Sequence, residues 1–329
     1  RLKKFFDNDE QESAYEFIRA LCQSLPESVI KNYSVEDCIN QINKLNSDRL
    51  KLLRKYAEVE FLFWYEHWKY GQMCLNKATH SGEDLIYLLN SECLSIYQKR
   101  MNSRNILFNG DPDVCLGNSI LYIKSVLNGK TRGIGGRCND IAQKFGGRIK
   151  FSAYINAHQE CVHALWLLIM LDSGVNCEVA RLIPWDCIGV PTEQGNCIIN
   201  FGKKNRAGGK LITDELPVEE NTEQKLTVPK AIMKYKEMAA AIHELAEVEF
   251  KNTLLLHLYK NKVEVFKDAT GRRWLKNFIS RHKDLLGLKI LPSMIRPSFI
   301  LAIQYNNDNN LASAQAFADH DSPTTTLIH

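Results

Sequence analysis

From Gln11 to about Arg104 the apolar residues recur at spacings of three and four, as in Tyr15, Ile18, Leu21 and Cys22, and again in Leu50, Leu53, Tyr56, Val59 and Phe63. A stripe with that period buries one face of an α-helix and does not fit the two-residue alternation of a half-buried strand. The first third of the chain is therefore limited to helices packed on helices. Breaks are expected at Leu25-Pro26-Glu27, where Ser24 caps the next helix, at Asn32-Tyr33-Ser34, with Ser34 and Asp37 as a capping box, and at His80-Ser81-Gly82. They divide the stretch into four or five helices.

From Asn105 to Arg148 the pattern changes. Asn109-Gly110-Asp111-Pro112 is followed by Gly129, Gly133, Gly135, Gly136, Gly146 and Gly147, which predicts a junction holding one helix near Asn118 to Leu127. The run Thr131-Arg132-Gly133-Ile134-Gly135-Gly136-Arg137 has the glycine density of a phosphate loop, but no strand precedes it and no Gly-Lys-Ser/Thr closes it, so it reads as a connector. Beyond Phe151 an apolar helix is expected over Ala153 to Leu171, ended at Ser173-Gly174, and then a short helix from Asn176-Cys177-Glu178 to Pro184-Trp185-Asp186. Cys197 to Phe201 and Leu211 to Val218 form a hairpin around the basic turn Gly202 to Lys210. Helices are expected again over Lys230 to Lys251, Arg272 to Leu286, Arg296 to Asn306 and Leu311 to Ala318.

Composition removes several classes. The longest apolar run, Ala164 to Leu171, is well short of the roughly 20 residues of a membrane helix. The 10 cysteines are scattered singly, with no Cys-x-x-Cys pair, which argues for reduced thiols in a cytoplasmic protein rather than a disulfide scaffold or zinc module. His67, His80, His158, His163, His243, His257 and His282 show no metal-ligand spacing and read as packing or surface residues, and no metal or other cofactor is expected. Arg1 opens directly into a charged stretch, so the expectation is a trimmed start rather than a signal peptide. A net charge of +4 neither requires nor excludes nucleic acid.

Two blocks in the second half, Ala153 to His329, resemble the tyrosine recombinases, the phage-integrase class of site-specific DNA strand exchangers. Leu171-Asp172-Ser173-Gly174-Val175-Asn176-Cys177-Glu178-Val179, running into Leu182 and Trp185-Asp186-Cys187-Ile188, is similar to the family's Gly-Leu-Arg-x-x-Glu-Leu box and its Trp-x-Asp-Ile continuation. Leu291-Pro292-Ser293-Met294-Ile295-Arg296, with Ala318-Asp319-His320-Asp321-Ser322-Pro323-Thr324-Thr325-Thr326 after it, is similar to the His-x-Leu-Arg box and the Gly-His-x-Ser-x-x-Thr-Thr box.

The resemblance implies chemistry in which a tyrosine hydroxyl attacks a DNA phosphodiester and holds one strand end covalently. Two arginines clamp the phosphate as its charge grows, a hairpin lysine protonates the leaving oxygen, and histidines assist proton transfer. Carried over, Arg296 falls at the second arginine, His320 at the histidine of the Gly-His box, and Lys204 or its neighbour Lys203 at the hairpin lysine. Other positions depart from the family. Asn176 stands at the first arginine, Ser293 at the histidine of the His-x-x-Arg pattern, and Asp319 at the glycine before His320. The nucleophile position, nine residues after His320, is His329, and the one tyrosine beyond Tyr259 is Tyr305, which precedes His320. Losing one preorganised donor at a developing oxyanion costs about 3 to 4 kcal/mol, and losing the nucleophile closes the covalent route.

The expected DNA contacts are Lys203, Lys204, Arg206 and Lys210 of the basic turn and Arg272, Arg273 and Lys276 of a later helix. Each set has a plain alternative as a solvated surface. The expected fold is mainly α with a small antiparallel β element: an N-terminal helical, core-binding-like domain over 1–110, a glycine-rich junction over 111–150, and a tyrosine-recombinase-like domain over 151–329. The resulting expectation is a protein of DNA integration or site-specific recombination with an impaired catalytic set. Its partners would be double-stranded DNA, an active recombinase or further copies of itself, and it would be nucleoid-associated when bound to DNA. Two other readings stand beside it: an active recombinase whose nucleophile lies beyond residue 329, with Arg206 replacing the missing arginine, and a helical scaffold that has lost DNA.

Overall fold

The computed structural model describes residues 35–127, 129, 135–203, 211–219, 225–259, 262–285 and 288–307. Among them the chain is mainly helical with two small antiparallel sheets. Residues 54–293 form one compact unit; the described residues 35–53 and 294–307 belong to a second.

The first described helix, α1 (Val35–Leu75), is a continuous run of 41 residues. The expected breaks near Leu25 and Ser34 lie outside the described residues. Its buried face carries Leu53, Ala57, Phe61 and Trp64, whereas Val59 and Phe63 of the expected stripe are 55% and 47% exposed. The buried face is shifted because Arg54 and Glu58 also point inward, held by partners described below. The break at His80-Ser81-Gly82 is present. Ser81 caps α2 (Gly82–Asn90) and exchanges hydrogen bonds with Asp84, and Ser95 does the same with Gln98 at the start of α3 (Ile96–Ser103). A π-turn, Arg104–Phe108, leads on to α4 (Pro112–Leu127).

The span expected as a junction holds more helix than its glycines suggested. α4 and α5 (Gly135–Lys144) lie within it, and α6 (Arg148–Ile155) begins at its end. Ile120, Ile123, Ile141 and Phe151 join Leu85, Leu89 and Leu107 in one buried cluster. Gly117 permits the closest approach, since a Cβ there would stand 2.0 Å from the Cys74 carbonyl oxygen.

The helix expected over Ala153 to Leu171 is two helices. α6 stops at Ile155, Asn156 is extended, and His158 caps α7 (Gln159–Ser173), its Nδ1 accepting the Glu160 N–H at 3.3 Å. The His158 ring stacks on Trp64 with centroids 4.1 Å apart, a tertiary contact that fixes the break. α7 is apolar on all sides and buried along most of its length, as suits the central helix of a core. It packs on α9 (Val228–Glu244), and its Trp166 lies against Phe266, later in the chain, with ring centroids 4.9 Å apart. Between these helices come α8 (Cys177–Arg181) and a meander of β1 (Ile188–Pro191), β2 (Asn196–Lys203) and β3 (Leu211–Pro217). The expected hairpin is thus β2–β3, extended by β1.

A second hairpin, β4 (Leu256–Tyr259) and β5 (Lys262–Val265), falls where the sequence assigned no element. It is followed by α10 (Asp268–Arg281) and α11 (Pro292–Asn306). α11 starts before Arg296 because Pro292 suits a first helical position, and Pro297 lies inside it. The helix expected over Leu311 to Ala318 lies outside the described residues. No described helix is long and apolar enough to cross a membrane.

Candidate functional site

The C-terminal end of α7 is the place the sequence marked. Gly174 ends the helix in the left-handed region, φ 61°, and its N–H donates to Met170 O at 2.9 Å. Asn176 follows as the N-cap of α8: its Oδ1 accepts the Val179 N–H at 2.8 Å. An arginine could not make that bond, because a guanidinium has no acceptor. The asparagine at the first-arginine position therefore has a local structural task, on an exposed surface.

Arg181, not singled out in the sequence, lies five residues further on. Its Nε donates to Glu178 at 3.0 Å, a second nitrogen bonds the other Glu178 oxygen, and a third reaches Phe266 O at 3.3 Å. The hydrogen bond from Arg181 holds the Glu178 carboxyl below its ordinary range. Trp185, of the expected Trp-x-Asp continuation, stacks on His243 with centroids 3.8 Å apart.

Behind Gly174 is a polar tie that sequence reasoning missed. Arg54 forks onto Asp172, with Nε–Oδ1 and Nη2–Oδ2 both at 3.0 Å, and also bonds Glu58 and the Leu226 carbonyl. Glu58 in turn accepts the Lys225 N–H at 3.2 Å. Burial opposes the Arg54 charge, but Asp172 and Glu58 outweigh it and its pKa is raised. Nothing in the sequence distinguishes Arg54 from its charged neighbours, since its partner Asp172 is 118 positions away.

β2 and β3 stay paired to Lys203↔Leu211, so residues 204–210 connect their ends. A register irregularity falls at Gly202, φ 90°, whose N–H donates to Asn200 Oδ1 at 2.8 Å. The Lys203 side chain, and Lys204, Arg206 and Lys210 altogether, lie outside the described residues, as do His320 and His329. Ser293 is exposed in the first turn of α11 and ends the 54–293 unit; Arg296, partly buried on the same helix, belongs to the other.

α10 turns Arg272, Arg273 and Lys276 outward. Arg272 pairs with Asp268 of its own helix at 2.6 Å; Arg273 and Lys276 have no described ion-pair partner. The inner side of α10, the first turns of α7 and the β4–β5 hairpin enclose a cleft of about 560 Å³. Within it Glu160 accepts Trp274 Nε1–H at 2.6 Å and Arg281 at 3.1 Å. His163 stacks on Trp274, centroids 5.3 Å apart and planes 9° apart. Burial depresses the pKa of His163 to about 3 and that of His257 to about 4, so both are neutral at neutral pH.

Among the described residues no three of His, Cys, Asp and Glu are grouped to hold a metal ion. Burial pushes the Cys187 thiol up to about 12 and the Cys161 thiol well above its usual range, which suits packing rather than nucleophilic attack. Comparison with known proteins finds no family model, no curated protein and no solved structure that matches this chain.

Proposed function

We propose that this chain is a DNA-binding protein of the tyrosine-recombinase class, serving integration or site-specific recombination with an impaired catalytic set of its own. The observation that carries the reading is the β2–β3 register. Strands paired to Lys203↔Leu211 leave the cations of 203–210 concentrated at one connection, after a buried helix, a left-handed glycine and a short capped helix. That order of elements is what the sequence resemblance leads one to expect. The outward cations of α10 add a second surface suited to phosphate contact. Asn176 favours the impaired form, because its Oδ1 is engaged in capping α8 and its uncharged amide is a weaker phosphate donor than a guanidinium.

In this reading Arg296, His320 and Lys204 are the retained site residues, and Asn176, Ser293 and His329 the substituted ones. The affinity comes mainly from backbone phosphates and falls steeply with salt. The test is a duplex mobility shift at low and physiological salt, with Lys203→Glu/Lys204→Glu as the variant. Binding that weakens with salt and drops by about tenfold or more in the variant supports the reading. No shift at low salt removes it in favour of a scaffold, and a covalent protein–DNA band replaces the impaired form with an active enzyme.

A further inference from the structure

The cleft beside α10 shares Arg273 with the DNA reading, but its inner wall plays no part in that reading, and its walls divide by chemistry. At the solvent edge Arg273 presents an exposed guanidinium with no described ion-pair partner. The acids nearby are already matched: Glu160 by Trp274 and Arg281, and Glu264 by Lys267 at 2.8 Å. Three cations thus face two carboxylates, leaving an excess of positive charge. On the inner wall His163 is 2% exposed. Its Nδ1–H donates to Gln159 O at 2.7 Å, which fixes the tautomer and leaves Nε2 as a lone pair. No described group donates to that nitrogen, and His257 Nδ1 is likewise buried without a partner. Tyr259, 40% exposed, contributes an aromatic ring to the lining.

A ligand fitting these features has an anionic group for an arginine fork, a flat or apolar middle, and an N–H or O–H donor at some distance from the charge. A volume of about 560 Å³ is large for a simple hydroxy acid and within the usual range of organic-ligand pockets. We propose that the cleft binds a nucleoside monophosphate, with its phosphate on Arg273, its ring system against Tyr259 and a base or ribose donor directed to His163 Nε2. The site shares Arg273 with the DNA proposal but rests also on His163 and Tyr259, so a chain that shifts no duplex can still bind the nucleotide, and the reverse.

The experiment is isothermal titration of the full chain with adenosine 5′-monophosphate, and with inorganic phosphate for comparison. Saturable binding is expected, with phosphate alone about tenfold weaker or worse, and a loss of about tenfold in each of His163→Phe and Arg273→Gln. His163→Phe keeps a flat ring while removing the lone pair, and Arg273→Gln changes an exposed residue, so the second stands as a test even where the first disturbs folding. The proposal is overturned by no saturable binding of adenosine 5′-monophosphate up to about 1 mM, by equal affinity for phosphate, or by unchanged affinity in Arg273→Gln.

Discussion

The two ends of α7, about 22 Å apart from its 15 residues at about 1.5 Å each, manage their polar groups in opposite ways. At the C-terminal end each polar group discussed has a partner: Asp172 holds Arg54, Asn176 caps α8, and Glu178 holds Arg181. At the N-terminal end His163 Nε2 and His257 Nδ1 are buried without partners among the described residues, and Arg273 nearby has no described ion-pair partner. A satisfied network fixes shape, whereas unsatisfied groups in a cleft leave bonds for something else to make. The sequence resemblance points to the first end; the geometry alone points to the second.

The sharpest way to break this contrast is Arg54→Ala. Removing the cation leaves Asp172, only 11% exposed at its side chain, as a covered charge without its partner, and a loss of about 3 to 5 kcal/mol is expected in denaturant unfolding. Little change would show that the C-terminal end is not held as described. Acid probes the other end. Imidazoles that titrate near 6.5 when unfolded fall to about 3 for His163 and about 4 for His257 when folded. Between those values the unfolded chain binds protons that the folded chain does not. Stability is therefore full above about pH 6.5 and falls as the pH drops below it, down to about pH 4 for His257 and about pH 3 for His163, by on the order of 3 and 5 kcal/mol respectively. Thermal melts across that window check it, and His163→Phe should flatten part of the slope.

Smaller effects refine the comparison. Glu160→Ala leaves the Trp274 indole N–H, bonded at 2.6 Å in the native chain, without its acceptor and should cost about 1 to 3 kcal/mol. Asn176→Ala should cost about 1 kcal/mol as a lost cap, and Asn176→Ser very little, because serine still accepts the Val179 N–H. Equal stability of all three proteins would contradict the capping role.

What the sequence disclosed follows from how local each signal was. Ser173-Gly174, the short helix after Asn176 and the β2–β3 hairpin rest on turn chemistry and alternation within a few residues, and the structure carries them. The break at Asn156 has no Gly or Pro to announce it and depends on His158 stacking with Trp64 from a distant helix. The β4–β5 hairpin escaped notice because Leu254-Leu255-Leu256 reads as any apolar run. The Arg54–Asp172 tie and the cleft join residues more than 90 positions apart, so no window along the chain contains them.

The most direct test of the central claim is incubation of the protein with nicked suicide duplexes, read on native and denaturing gels together. The account predicts a salt-sensitive native shift with no covalent band. Absence of a shift at low salt, or a band that survives denaturation, would contradict it.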